Sequence, residues 1–238
     1  MSNQRKIIFL HLPKTAGTSL VNILHQHYQW ENSADIAGDD LASLSQAIAA
    51  EKPFIHGHFS NQILQAVKGS GYLSASLLRQ ASDRVISRYV HMAHSKEQRL
   101  QGEFASYGSF EDFLDSSYAD NWQCRMLAGI WHDGKVDQQT FEKALETLHQ
   151  LDWVATADDL PEAALDLSLK LGFKNRYYPK LNERRSEQMW QELNGKYRSA
   201  IAELNHFDQR LVEEAAKLYQ INKRIPLLAK LRLALMDS

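Results

Sequence analysis

The chain has 238 residues, of which 44% are hydrophobic and 24% are charged, as in globular proteins with a sizeable core. Its 27 basic and 29 acidic residues give a formal net charge of −2, so bulk charge favours neither a nucleic-acid nor a membrane partner. The lone Cys124 excludes an intrachain disulfide, and the apolar run near the N-terminus is too short for a signal peptide or a membrane span. We expect a single domain over residues 1–238 and a cytoplasmic enzyme.

The first half of the chain alternates between predicted strands and helices. Buried apolar runs predict strands at 7–10, 54–59 and 72–78, and apolar residues at helical spacing predict helices beginning near residues 20, 40 and 82. Connections this short favour parallel pairing through right-handed crossovers. The sequence therefore predicts an α/β fold with a doubly wound parallel sheet.

The second half of the chain is predicted to be mostly helical. Helices are expected at 109–115, 120–130, 137–149, 159–171, 187–203 and 207–221, with one strand at 153–156. Segments 96–108 and 172–186 are the least regular and are predicted to be loops over a site. The leucine-rich tail, 225–236, is predicted to be a helix that docks on the body or on a second subunit, which would give a homo-oligomer. The alternative is that this helix lies on a membrane surface.

The loop after the first strand reads Leu12-Pro13-Lys14-Thr15-Ala16-Gly17-Thr18-Ser19. A strand that ends in such a turn and leads into a helix presents backbone N–H groups and the positive end of the helix dipole to an anion. A Walker loop would need glycine in place of Leu12 and lysine in place of Thr18, whereas here Lys14 precedes the glycine. The loop is predicted to bind a phosphate group, but not a nucleoside triphosphate with magnesium. The alternative is a capped turn without a ligand.

This loop resembles the 5′-phosphosulfate-binding loop of sulfotransferases that use 3′-phosphoadenosine 5′-phosphosulfate (PAPS), especially the carbohydrate, heparan 2-O-sulfotransferase-like branch. The resemblance implies a P-loop-type sheet, no metal, and transfer of a sulfuryl group to a hydroxyl acceptor on a sugar or glycan. It also implies that Lys14 assists departure of the product, 3′-phosphoadenosine 5′-phosphate (PAP). The residues implied to bind the 5′-phosphosulfate are Lys14, Thr15, Ala16, Gly17, Thr18 and Ser19.

A second anion site is predicted from Arg79, which follows the strand at 72–78, and from Ser87 in the next helix. Ligands of open α/β sheets bind at the carboxyl ends of strands, and a guanidinium offers a fixed fork of donors to a phosphate. The resemblance maps the donor's 3′-phosphate onto these two residues, although Gln80-Ala81 stands where the family usually has Asp-Pro. The alternative is that Arg79 pairs with Asp83 and that Ser87 is a surface residue.

The catalytic base is predicted within His56-Gly57-His58, because histidine suits proton transfer at neutral pH. Residues i and i+2 of a strand share a face, so both rings could point into one cleft. Carbohydrate sulfotransferases carry a matching element, and the resemblance makes His58 the first choice and His56 the second. The alternatives are hydrogen-bonded structural histidines, or a metal site formed with His91 and His94.

A late basic loop, with Lys180, Arg184 and Arg185, resembles the family segment that closes over the nucleotide. Two other functions stay open at the level of sequence. One is a small-molecule kinase with a degenerate P-loop, and the other is a non-catalytic nucleotide-binding protein.

Overall fold

The computed structural model describes residues 4–132, 134–173 and 186–223. Its strands are β1 (Ile7–Leu10), β2 (Ser33–Asp35), β3 (Phe54–Gly57), β4 (Leu73–Leu78) and β5 (Trp153–Thr156). They form one parallel sheet in the order β2-β3-β1-β4-β5. Because β1 is the central strand, the loop that follows it opens at the carboxyl edge of the sheet, between the ends of β3 and β4.

Helices flank this sheet and dominate the second half of the described chain, which confirms the predicted α/β architecture. They are α1 (Gly17–His25), α2 (Leu41–Ala49), α3 (Asn61–Ala66), α4 (Ala81–Ala93), α5 (Gln98–Ala105), α6 (Phe110–Leu114), α7 (Trp122–Ala128), α8 (Gln138–Gln150), α9 (Leu160–Lys170), α10 (Glu187–Leu204) and α11 (His206–Asn222). The segment from residue 11 to residue 16, between β1 and α1, is called the β1–α1 loop below.

The sheet is covered on both faces, which explains the unbroken apolar run of β1. Ile7 and Phe9 pack into one cluster with side chains of α1 and α9, and Ile8 and Leu10 pack into a second cluster with side chains of α3, α7, α8 and α11. All four of these β1 residues are fully buried. The central strand is thereby fixed from both sides and anchors the loop at its end.

Helix α4 leads away from the end of β4 and packs in a third apolar cluster with α5, α6 and α10. Val85, Ile86 and Val90 of α4 are buried there against Phe113 and Ile201. Within the described ranges, no helix combines the length and the apolar character that crossing a membrane requires.

Three elements differ from the sequence predictions. The prediction of a loop at 96–108 is wrong, because residues 98–105 form α5, which Leu100 and an ion pair between Glu103 and Arg88 hold against α4. Strand β2 and helix α3 were not predicted, since both are too short to show a clear period. Residues 174–185 of the predicted loop at 172–186, and the tail at 225–236, lie outside the described residues.

Candidate active site

The β1–α1 loop has a strained backbone. Lys14 and Ala16 adopt left-handed conformations with φ of 68° and 66°, which costs a non-glycine residue about 1–3 kcal/mol each. The hydroxyl of Thr15 turns inward and donates to the Leu12 carbonyl oxygen at 2.8 Å, while Ala16 offers no side-chain cap to the first turn of α1. Backbone of this kind at a helix N-terminus forms a concavity of N–H groups that suits an anion.

Gly17 has a steric role at the start of α1. Its φ is not positive, but a Cβ at this position would lie 2.1 Å from Cδ2 and 2.4 Å from Nε2 of the His11 ring. Burial, with smaller contributions from His58, His56 and Lys14, lowers the pKa of His11 to about 3. A neutral imidazole therefore covers the beginning of the helix, and glycine is the residue that leaves room for it.

Gly17→Ala is expected to destabilise the protein by about 1–3 kcal/mol, the usual cost of overpacking a filled site. The same change in a His11→Ala background is expected to be neutral or stabilising, because alanine is the better helix former once the ring is gone. Urea unfolding of the two single variants and the double variant measures this. A Gly17→Ala cost that is equal in both backgrounds would contradict the steric explanation.

His58 lies beside the β1–α1 loop. Its Nδ1 is 2.6 Å from the His11 carbonyl oxygen, and its ring centroid is 4.4 Å from that of His11. A carbonyl oxygen only accepts, so Nδ1 carries the proton and Nε2 of the neutral ring keeps a lone pair. The side chain is exposed, and Nε2 has no hydrogen-bond partner among the described residues. This tautomer is the one that a general base requires.

His56 has different surroundings, and the prediction that both rings point into one cleft is wrong. The His56 ring is buried, with Nε2 at 3.3 Å from His25 Nε2 and Nδ1 at 3.7 Å from an Asp35 carboxylate oxygen. The alternation of the strand ends at Gly57, whose φ of 151° favours glycine and whose Cβ would lie 2.0 Å from the Ile36 carbonyl oxygen. The two histidines are therefore separated by a change of backbone direction.

The buried His56 predicts a loss of stability in acid. Burial lowers its pKa from 6.5 to about 4, although Asp35 opposes the shift. The unfolded chain therefore takes up a proton first as pH falls, and the free energy of unfolding should drop by about 3 kcal/mol between the two pKa values. Urea unfolding across this range, compared with His56→Gln, isolates the effect. Equal pH dependence in both proteins would contradict it.

Arg79 follows β4 directly and also contacts the β1–α1 loop. Its Nη1 donates to the Lys14 carbonyl oxygen at 3.2 Å, and its Nη2 is 3.8 Å from an Asp83 carboxylate oxygen. The ion pair between Arg79 and Asp83, which was the alternative to a phosphate site, is thus present at a long distance, and Arg79 contacts the β1–α1 loop as well. Ser87 is half-buried one turn beyond Asp83 on α4, so it lies on the same side of the helix.

The remaining predicted residues fall into three groups. Thr18 is exposed and Ser19 is buried in the first turn of α1. Lys180, Arg184 and Arg185 lie outside the described residues. In the described part of the chain, no three histidine, cysteine or carboxylate groups lie close enough to hold a metal ion, so the alternative metal site with His91 and His94 finds no support there.

Two residues that the sequence did not single out, Gln123 and Asp39, form hydrogen bonds that fix the main chain next to the site residues. The Gln123 side chain of α7 bonds to both main-chain polar groups of Arg79. Asp39 accepts hydrogen bonds from the Ser60 main chain and from Trp131 Nε1, both at 2.7 Å, and so holds the turn after His58. No local pattern marks either residue, because their partners are far away in sequence.

A cavity of about 640 Å³ opens at the opposite, amino-terminal edge of the sheet, beside Arg5, Leu73 and Asp152. None of the predicted site residues lines it. The candidate active site is therefore the open carboxyl edge of β1, β3 and β4, and not this cavity.

A five-stranded parallel sheet with a strained loop after its central strand defines an α/β protein of the P-loop type with a candidate anion site. The family model described as "Sulfotransferase family" matches residues 1–224 of the chain. The chain belongs to the sulfotransferase family, and the enzyme is a sulfotransferase, which transfers sulfuryl groups. The comparison with curated proteins found no match.

Proposed function

We propose that this sulfotransferase takes its sulfuryl group from PAPS and transfers it to a hydroxyl group on a sugar or glycan. One observation carries the proposal. His58 and Arg79 bond to main-chain carbonyls of the same loop, those of His11 at 2.6 Å and Lys14 at 3.2 Å. A single loop thus brings together an anion cradle, a lysine, an arginine and a histidine whose tautomer suits a base.

The donor would be held at two anionic groups. The N–H groups of the β1–α1 loop and of the first turn of α1, with Lys14 and the hydroxyls of Thr18 and Ser19, suit the 5′-phosphosulfate. Arg79 and Ser87, on the side of β4, suit the 3′-phosphate. A donor with only one phosphate group would leave one of these two sets without a ligand.

In the proposed transfer step, Lys14 and the loop N–H groups stabilise negative charge, and His58 accepts a proton. Sulfuryl transfer resembles phosphoryl transfer, which has a loose, in-line transition state with charge spread over the equatorial oxygens. Lys14 and the loop N–H groups would stabilise the charge that develops on the departing phosphate oxygen. The Nε2 atom of His58 would take the proton of the attacking hydroxyl.

The proposed acceptor class rests on the likeness of His56-Gly57-His58 to the element of carbohydrate sulfotransferases. The exposure of His58 is consistent with a large acceptor, since the base lies at an open edge and not in a closed cavity. The net charge of −2 gives no reason to require an anionic glycan.

Thermal unfolding with nucleotides tests the proposed donor. PAP, without magnesium, should raise the unfolding temperature of the wild-type protein, because it binds the folded state only. ATP with magnesium should raise it much less at the same concentration. A shift with ATP and magnesium that exceeds the shift with PAP would contradict the proposal and would favour a kinase.

A further inference from the structure

The carboxamide of Gln123 forms a two-point bond with the main chain of Arg79. Its Oε1 accepts from the Arg79 N–H at 2.9 Å, and its Nε2 donates to the Arg79 carbonyl oxygen, also at 2.9 Å. Arg79 is the first residue after β4, so it has left the ladder of the sheet. The side chain of Gln123, which is fully buried, acts as one more rung of that ladder.

Asp208 fixes the orientation of this carboxamide. One of its carboxylate oxygens accepts from the main-chain N–H of Gln123 at 3.2 Å and from Nε2 of Gln123 at 3.3 Å, and the other accepts from the Cys124 N–H at 2.8 Å. A carboxylate only accepts, so the amide nitrogen must face Asp208. The Oε1 atom is thereby directed at the Arg79 N–H and cannot exchange places with Nε2.

The Asp208 carboxylate is itself held in place. It is fully buried, and the equally buried guanidinium of Arg84, on α4, lies 3.9 Å away. The Arg84 guanidinium also donates to the Tyr118 carbonyl oxygen at 2.7 Å. Removing either partner would leave an uncompensated buried charge, so Arg84 and Asp208 depend on each other. The orientation of Gln123 therefore depends on α4, α7 and α11 together.

We propose that Gln123 is a positioning residue for Arg79 and that it sets the preference of the enzyme for a nucleotide that carries a 3′-phosphate. The inference rests on the proposed function. Asp208 orients Gln123, Gln123 holds the Arg79 main chain, and the guanidinium extends from that fixed point to the β1–α1 loop. A guanidinium recognises phosphate through a fixed geometry, so a small displacement of its main chain weakens recognition.

The test compares PAP with adenosine 5′-monophosphate, which lacks the 3′-phosphate, by calorimetry. Gln123→Met keeps the size of the side chain but removes both bonds to Arg79. It should weaken PAP binding by about tenfold, the equivalent of about one hydrogen bond to a charged group, and leave the monophosphate within about twofold. A general loss of structure would weaken both nucleotides, so the ratio of the two affinities isolates the positioning role.

Four further proteins complete the experiment: Gln65→Met, Arg79→Ala, the Arg79→Ala/Gln123→Met double variant and Gln123→Asn. Gln65→Met is the matched control, because Gln65 is an exposed glutamine of α3 that bonds to Gln150. In an Arg79→Ala background, Gln123→Met should leave the ratio unchanged, since the two residues act through one group. Gln123→Asn, which keeps the amide but shortens its reach, should also reduce the ratio and replaces Gln123→Met if that variant does not fold.

Each outcome decides between specific claims. If the ratio of PAP affinity to monophosphate affinity stays at its wild-type value in Gln123→Met or in Gln123→Asn, the positioning role is wrong and the proposed donor is unaffected. A further change of the ratio on adding Gln123→Met to Arg79→Ala overturns the positioning role as well. A wild-type protein that binds both nucleotides equally overturns the proposed donor, and with it this role.

Discussion

Replacing His58 with alanine is expected to lower kcat for sulfuryl transfer by about 10²–10⁴-fold, the usual contribution of a general base. The Nδ1–H group of His58 donates to the His11 carbonyl oxygen, which leaves the lone pair of Nε2 to receive the proton of the acceptor. The imidazole is not among the groups assigned to the donor, so the affinity for PAP should stay within about twofold. Steady-state kinetics and calorimetry measure the two quantities separately.

His94→Ala is the matched control for this substitution. His94 is also exposed, and its Nδ1 lies 3.0 Å from the Val90 carbonyl oxygen, but it follows the far end of α4 from Arg79. Its replacement should leave kcat unchanged. A His58→Ala protein with full turnover would contradict the proposed base. If a folded His56→Ala protein then lacked turnover, the role would pass to His56.

Arg79→Ala is expected to weaken PAP binding by about 100-fold, because it removes charge-assisted hydrogen bonds to a phosphate. Adenosine 5′-monophosphate should lose much less affinity, since it offers no 3′-phosphate to Arg79. Arg79→Lys should recover part of the loss, as it restores the charge but not the planar fork of donors. Calorimetry with both nucleotides gives the comparison.

The control for Arg79 is Arg99→Ala. Arg99 is 71% exposed and pairs with Glu103 at 3.7 Å on α5, so its loss should change neither affinity. Equal weakening of PAP and the monophosphate by Arg79→Ala would show that the residue supports the β1–α1 loop through its contact with Lys14. That result would contradict the assignment of the 3′-phosphate to Arg79.

The fold could be predicted from the sequence where apolar patterns are strong. The run at 7–10 is buried on both faces, and this single property identifies a central parallel strand. Strand β2 escaped prediction because it has three residues at the edge of the sheet, one of them exposed. Helix α5 escaped it because it is short, has Gly102 in its interior and buries only Leu100.

The candidate site was predictable only in part. The positions of Lys14, His58 and Arg79 after strands follow from the apolar pattern, whereas the choice of His58 over His56 came from the family resemblance. The burial of His56 does not follow from this pattern, because it depends on His25 and Phe54, which pack against its ring, and on Asp35 of the neighbouring strand. The bonds that hold the site are also invisible in sequence, since they join residues 44 positions apart for Gln123 and Arg79 and 85 apart for Gln123 and Asp208.

A crystal structure of the enzyme with PAP tests the proposed donor site most directly. We expect the 5′-phosphate against the N–H groups of the β1–α1 loop and the 3′-phosphate within hydrogen-bond distance of the Arg79 guanidinium. The Nε2 atom of His58 should face the space beyond the 5′-phosphate. A nucleotide bound away from the loop, or one whose 3′-phosphate points away from Arg79, would contradict it.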